Sequence, residues 1–145
     1  MIVLFFPACV TGVAVLLYLK WIGRADQDWG WAILALIAGS VVLILTLAPS
    51  STGILFVVTA TAIAAVLLAL AKPVRAWRWG VGIGVGAGFA AALGTLVTYS
   101  QEARHSDVLG PGALLWGFTC LAAIFCGLPA TAISALTGWL MRRGE

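Results

Sequence analysis

Residues 80–94 of the chain read GVGIGVGAGFAAALG, an apolar run in which glycine occupies every second position before alanine takes over. Wound as an α-helix, this run carries two rows of small residues, displaced by about 200° around the helix axis. The first row is Gly80, Gly84 and Gly88, and the second is Gly82, Gly86, Ala90 and Gly94. Small residues let helix backbones approach closely, and inside lipid such packing drives helix association. The pattern predicts a central helix that contacts neighbours on two faces, either within its own chain or between protomers.

Charged side chains divide the sequence into apolar runs whose lengths match a lipid bilayer. Counted between charges, 19 residues precede Lys20, 43 separate Asp28 from Lys72, 23 separate Arg78 from Glu102, and 34 separate Asp107 from Arg142. A bilayer core of about 30 Å takes roughly 20 residues of helix, so the shorter runs hold one span each and the 43-residue run holds two. The composition agrees, because 63% of the residues are hydrophobic and 9% are charged. The sequence predicts an all-α, polytopic membrane protein built as a helical bundle.

The 43-residue run divides at residues 48–53, which read APSSTG. Pro49 cannot donate a helical hydrogen bond, and Ser51 or Thr52 can cap the helix that follows. The acidic Asp28 is expected to cap the second helix in the same way. The chain is then a single transmembrane domain over residues 1–145. Its five spans are predicted at about 2–19, 30–48, 53–71, 80–99 and 112–141.

Lysine and arginine are distributed unevenly between the two sides of such a bundle. If the N-terminus is outside, seven basic residues face the cytoplasm and only Arg104 faces outward. The seven are Lys20, Arg24, Lys72, Arg75, Arg78, Arg142 and Arg143. The positive-inside rule therefore predicts an N-out/C-in topology, with the bacterial inner membrane as the expected location.

The connection between the third and fourth spans is rich in basic and aromatic residues. Lys72, Arg75 and Arg78 lie three positions apart, next to Trp77 and Trp79. Indole rings favour the membrane interface, and each basic residue near an anionic surface contributes about 1 kcal/mol to binding. We expect these five residues to anchor the protein to lipid headgroups, including anionic ones, at the inner interface.

The last apolar run is longer than a bilayer requires, because 34 residues of straight helix extend about 51 Å. Pro129 leaves the carbonyl of Phe125 without its helical donor and Gly127 eases bending, so a kink is expected near mid-membrane. In one interpretation the freed carbonyls, with Thr131 and Ser134, line an ion or solute site, as in many transporters. In the other, neighbouring helices and hydroxyls satisfy an ordinary proline kink. We prefer the second, because no charged residue lies nearby.

The outer connection contains the only histidine of the chain, in a Glu-x-x-His pair. Glu102, His105 and Asp107 are a weak candidate for a metal site, since bundles that bind metals through such pairs use two of them. A solvated loop is the expected structure here.

The three cysteines form no C-x-x-C pair, which argues against redox or metal chemistry. No cofactor is expected.

No predicted span contains an ionisable group, although intramembrane charge is the usual sign of transport or proton chemistry. We therefore expect a non-enzymatic membrane protein that acts as an accessory or assembly subunit, or as a self-associating module, through close helix packing. Its expected partners are lipids and either copies of itself or another membrane protein. The net charge of +3 gives no reason to expect nucleic acid. The alternative is a small homo-oligomeric channel or transporter, with Pro129, Thr131 and Ser134 near the pathway. Thr95 and Thr98 would lie opposite them.

Cysteine labelling distinguishes these two functions. In a chain whose native cysteines are replaced by alanine, Thr131→Cys and Ser134→Cys should resist aqueous maleimide reagents in every condition, because the packing hypothesis keeps both positions dry. Ser106→Cys, in the outer connection, is the labelled control. Modification at position 131 or 134 would instead support a water-filled pathway.

Overall fold

The computed structural model describes residues 2–26, 28–46, 53–102 and 110–145, and these form five α-helices. The helices are α1 (Ile2–Asp26), α2 (Trp29–Thr46), α3 (Gly53–Ala71), α4 (Trp77–Glu102) and α5 (Gly110–Arg143). The prediction of an all-α protein with five helices is confirmed. The predicted break at Pro49, with its caps Ser51 and Thr52, lies outside the described residues.

Three of the described helices contain a segment long and apolar enough to cross a membrane: Phe5–Arg24, Trp77–Val97 and Trp116–Arg143. Two further apolar helical segments, Trp29–Ile44 and Val58–Ala71, are shorter. Three of the five helices, α1, α4 and α5, extend past their predicted spans at ends that carry charged residues such as Arg24 and Arg143. The α3 helix matches its predicted span, and α2 ends two residues before the predicted position. A helix does not end where its apolar run ends, since charged residues have good helix propensity.

Consecutive helices run in opposite directions, and α4 lies in the middle of the bundle. Its most extensive contacts are with α5 and α2, and it also contacts α1 and α3. The α3 helix packs mainly on α5 and α2. The central position follows from the sequence of α4, because a helix with few large side chains can approach several neighbours closely.

The connection between α3 and α4 is a tight turn. The amide of Lys72 donates to the Leu68 carbonyl (3.1 Å), and Pro73 then prevents the helix from continuing. Arg75 adopts a positive φ of 55°, which reverses the chain direction. The amide of Arg78 donates to the Arg75 carbonyl at 3.1 Å, so the turn leads directly into the first residues of α4.

The structure keeps α5 helical on both sides of Pro129. One turn along, the hydroxyl of Thr131 donates to the carbonyl of Gly127 at 2.6 Å. The hydroxyl of Ser134 donates to the Thr131 carbonyl at 3.2 Å. Both polar side chains that follow the proline are therefore bonded to the backbone of their own helix.

Tyr18 connects α1 to the start of α4 at the charged end of the bundle. Its ring is buried, and its hydroxyl donates to the carbonyl of Arg78 at 2.9 Å. Around it, the core consists of Ile22, Ile83 and Trp79, with many alanines that fill the spaces between closely spaced helices.

Replacing Tyr18 with phenylalanine should lower the free energy of unfolding by about 1 kcal/mol, because the buried contact between α1 and α4 loses its hydrogen bond. Thr95→Val is the matched control, since the hydroxyl of Thr95 bonds only within α4, to the Ala91 carbonyl at 2.6 Å. Thermal unfolding followed by circular dichroism measures both variants. If the Tyr18→Phe variant were as stable as the Thr95→Val variant, a structural role for the Tyr18 hydroxyl would be contradicted.

Candidate functional site

The first glycine row of α4 lies against α5. A Cβ atom at Gly80 would collide with the backbone of Ala130 and Thr131, and one at Gly84 would lie 2.7 Å from the Cα atom of Gly127. Real Cβ atoms essentially never approach backbone so closely. The two helix backbones are therefore in direct contact, which only glycine permits at Gly80 and Gly84.

Further along the first row, at Gly88, the distance between α4 and α5 is larger. A Cβ atom at Gly88 would lie 3.1 Å from the Cβ atom of Ala123. That distance is tight, but the neighbour is a small side chain rather than backbone. The α4 and α5 helices are therefore closest at Gly80 and separate gradually through Gly84 toward Gly88.

The second glycine row lies against α2 and α1. A Cβ atom at Gly82 would lie 2.9 Å from the Cβ atom of Ala35 and 2.7 Å from Cζ of Tyr18, and one at Gly86 would lie 2.9 Å from the carbonyl carbon of Leu36. The contact is reciprocal, since a Cβ atom at Gly39 of α2 would lie 2.8 Å from the carbonyl carbon of Ile83. Both rows are thus covered by helices of the same chain.

Ser40 adds a polar contact between α2 and α4. Its hydroxyl lies 3.0 Å from the Leu36 carbonyl of its own helix and 3.3 Å from the Gly86 carbonyl of α4. Such a hydroxyl can reach the neighbouring backbone only because Gly86 allows α2 to approach.

Gly94 differs from the rest of its row. It is exposed, and a Cβ atom added there would meet nothing within 4 Å. The close-packed part of the second row therefore ends before Gly94.

The first glycine row of α4 and the residues around Pro129 belong to one contact surface. Gly84 faces Gly127, and Gly80 faces Thr131. Ser134, one turn further along α5, is fully buried, whereas Pro129 is partly buried. Gly127 therefore serves the approach of α5 to α4, as well as lying beside Pro129.

The five expected lipid anchors divide into two groups. Trp77 and Arg75 are exposed and Lys72 is partly exposed, whereas Arg78 and Trp79 are only 7% and 3% exposed. Arg78 and Trp79 directly precede Gly80 and Gly82, which face α5 and α1. The same orientation of α4 therefore turns these two side chains toward the bundle. Arg78 and Trp79 therefore face the protein rather than the surroundings, which differs from the position expected of them.

A pair of aromatic rings lies on one side of the buried arginine. The guanidinium of Arg78 lies 5.0 Å from the ring centroid of Trp21, and Trp21 in turn contacts Trp77, with 5.6 Å between ring centroids. A cation held over an indole face is attracted by the ring quadrupole. The indole N–H of Trp79 donates to the Lys72 carbonyl at 3.2 Å, which fixes the turn over the bundle.

An ion pair joins the two connections at this end of the bundle. The ammonium of Lys72, after α3, pairs with the carboxylate of Asp28, before α2. These two residues, with Arg78 and Trp79, line a pocket of about 200 Å³. The Asp28 carbonyl also accepts the amide of Ala32 at 3.1 Å, so the residue begins α2 while its side chain reaches across to Lys72.

The weak metal candidate falls on the outer connection. His105 and Asp107 lie outside the described residues, and the structure describes Glu102 only as the last residue of α4. Among the described residues, no three His, Cys, Asp or Glu side chains are grouped so that they could hold a metal ion.

Several residues of this site were missed in the sequence. Tyr18 and Gly39 lie within apolar stretches of α1 and α2, and only the Gly39-Ser40 pair was a visible signal of close packing. Gly138 packs against the turn after α3, since a Cβ atom there would lie 2.9 Å from the Pro73 carbonyl oxygen. Asp28 was expected as a helix cap, and no sequence pattern indicated its pairing with Lys72.

No protein-family model matches the sequence, and no curated protein or solved structure is detectably similar to it. The structure provides two arrangements: a backbone-to-backbone contact of α4 with α2 and α5, and a charged pocket at the end of the bundle.

Alanine substitutions in α4 should have effects of opposite sign. Gly84→Ala should destabilise the fold by about 1–3 kcal/mol, because the new methyl group has backbone on the facing helix. Gly94→Ala should stabilise it by about 0.5–1 kcal/mol, because alanine is the better helix former and the position is open. Equilibrium unfolding of both variants provides the comparison, and a neutral or stabilising Gly84→Ala would disprove the close contact.

Proposed function

We propose that the protein is a multi-pass membrane protein with five spans, N-terminus outside and C-terminus in the cytoplasm, resident in a bacterial inner membrane. The outer faces of the bundle support this location, since large apolar side chains are exposed on every helix. Among them are Leu16, Ile37, Leu67, Val97 and Phe125. So much exposed apolar surface is unfavourable in water, where contiguous apolar patches are rarely larger than a few hundred Å².

The arrangement of charge supports the proposed orientation. The end of the bundle where α1, α3 and α5 terminate carries seven of the eight basic residues of the sequence. Four exposed indoles lie at the same end: Trp21, Trp29, Trp77 and Trp139. Arg143 stacks on Trp139, with 3.8 Å between the guanidinium carbon and the ring centroid. Basic residues and indoles together are typical of the cytoplasmic interface.

Within the membrane, the proposed role is that of an accessory or assembly subunit that binds another membrane protein through helix packing. The observation that carries this role is that both glycine rows, apart from the exposed Gly94, are covered within the chain. The α2, α4 and α5 helices thereby form a closely packed unit. Association with a partner then uses the outer faces of the bundle, where the side chains are large and apolar rather than small.

The alternative role, a channel or transporter, requires polar groups that face a pathway. Thr131 and Ser134 were the residues expected there, but their hydroxyls donate to carbonyls of their own helix. Ser134 is also fully buried against the protein. We therefore prefer the packing role.

Gentle purification from native membranes followed by native mass spectrometry tests the proposed role. We expect a second membrane protein in a fixed ratio to this chain, and we expect Leu67→Trp or Phe125→Trp to weaken that complex without unfolding the chain, because both side chains are exposed. Ala65→Trp, on the buried face of α3, should instead disrupt the fold. Recovery of a pure homo-oligomer that conducts ions in liposomes would replace this role with the alternative one.

A further inference from the structure

The pocket at the charged end of the bundle is large enough for more than water. Its volume is about 200 Å³, and it opens between the turn after α3 and the start of α2. A single water needs roughly 10–15 Å³ by this kind of measure. The pocket therefore accommodates a small polar group of several heavy atoms.

The walls of the pocket combine two cations with one carboxylate. Lys72 and Arg78 supply the positive charges, and Asp28 supplies the negative one. The Lys72–Asp28 pair is accessible, with the two side chains 38% and 23% exposed. Arg78 lies deeper, and an arginine held in low-dielectric surroundings attracts an anion more strongly than a fully hydrated lysine does.

The rest of the pocket is held in place by the fold. Trp79 lines it, and its indole N–H fixes the backbone of Lys72. Pro73, also in the wall, has a restricted backbone. A pocket that is already formed loses little conformational entropy when it binds a ligand.

We propose that this pocket binds one phosphate group, with Arg78 and Lys72 as the cations that contact it. Asp28 is the internal competitor, because its carboxylate pairs with Lys72 and must release it when phosphate binds. A guanidinium with its planar fork of N–H donors matches phosphate oxygens well, and a lysine ammonium adds a point charge. The phosphate comes from a lipid headgroup or from a free anion, and the chemistry of recognition is the same for both. Only the lipid source rests on the proposed membrane location.

The test uses the purified full-length chain in detergent, titrated with dioctanoyl-phosphatidylglycerol, with inorganic phosphate and with dioctanoylglycerol, which has no phosphate. Isothermal titration calorimetry gives the affinity and native mass spectrometry gives the stoichiometry. We expect one phosphate-containing ligand per chain and no binding of dioctanoylglycerol. Binding of phosphatidylglycerol alone identifies a lipid site, and comparable binding of inorganic phosphate identifies a free-anion site. Failure of both ligands to bind would overturn the proposal.

Variants at Arg78 and Asp28 should change the affinity in opposite directions. Arg78→Gln should weaken binding about tenfold, because it removes a charge-assisted hydrogen bond. Asp28→Asn should strengthen binding severalfold, because Lys72 becomes available. Arg142→Gln is the matched control, since Arg142 is exposed at the same end of the bundle and is not part of the pocket wall.

If Arg78→Gln and Arg142→Gln weakened phosphate binding equally, general charge attraction would explain the binding. That result would overturn the proposed site. If Arg78→Gln does not fold, Asp28→Asn decides, and unchanged or weaker binding in that variant overturns the proposal.

Alkaline carbonate extraction of native membranes tests the membrane location separately. A chain that is extracted but still binds inorganic phosphate contradicts only the location, whereas a retained chain without phosphate binding contradicts only the site.

Discussion

Direct contact between helix backbones along α4 is the constraint on which the rest of this structure depends. At Gly84 and Gly86 the neighbouring backbones of α5 and α2 occupy the space that any side chain would need. Such contacts supply dispersion energy that holds helices together. In the proposed membrane location this energy matters most, because burying apolar side chains away from lipid gives little advantage. The positions of α2 and α5 are therefore set by the glycines of α4, and α3 then packs in the groove between them.

The charged end of the bundle complements this packing. Glycine contacts determine how closely helices approach, but they only weakly restrict sliding of one helix along the axis of another. Three interactions at one end restrict such sliding: Tyr18 bonded to the Arg78 carbonyl, Trp79 bonded to the Lys72 carbonyl, and the Lys72–Asp28 ion pair. Together they connect α1, the start of α2 and the turn between α3 and α4. The close-packed middle and the polar end thus restrict different motions of the same helices.

The sequence predicted the five helices and the basic residues shared by one end, because both follow from local features: apolar runs, a turn proline and the positions of charges. It also predicted two small-residue rows on α4. It did not predict which neighbouring helix covers which row. The rotation of α2 and α5 depends on where Gly39 and Gly127 contact α4, and a single glycine in a sequence does not identify the helix that it faces. The Tyr18–Arg78 and Lys72–Asp28 contacts join residues 60 and 44 positions apart, and no local pattern indicates such pairs. Burial of Arg78 and Trp79 was unexpected for the same reason.

An intrachain disulfide between α4 and α5 would show directly that these two helices of one chain are in contact. A Cβ atom at position 88 lies 3.1 Å from that of Ala123, close to the separation of about 3.5–4.5 Å that disulfides favour. In native membranes, the variant Gly88→Cys/Ala123→Cys, with the native cysteines replaced by alanine, should lose both thiols on mild oxidation while migrating as a monomer. Retention of both thiols, or cross-linking only between chains, would contradict the account in which the glycine rows are covered within one chain.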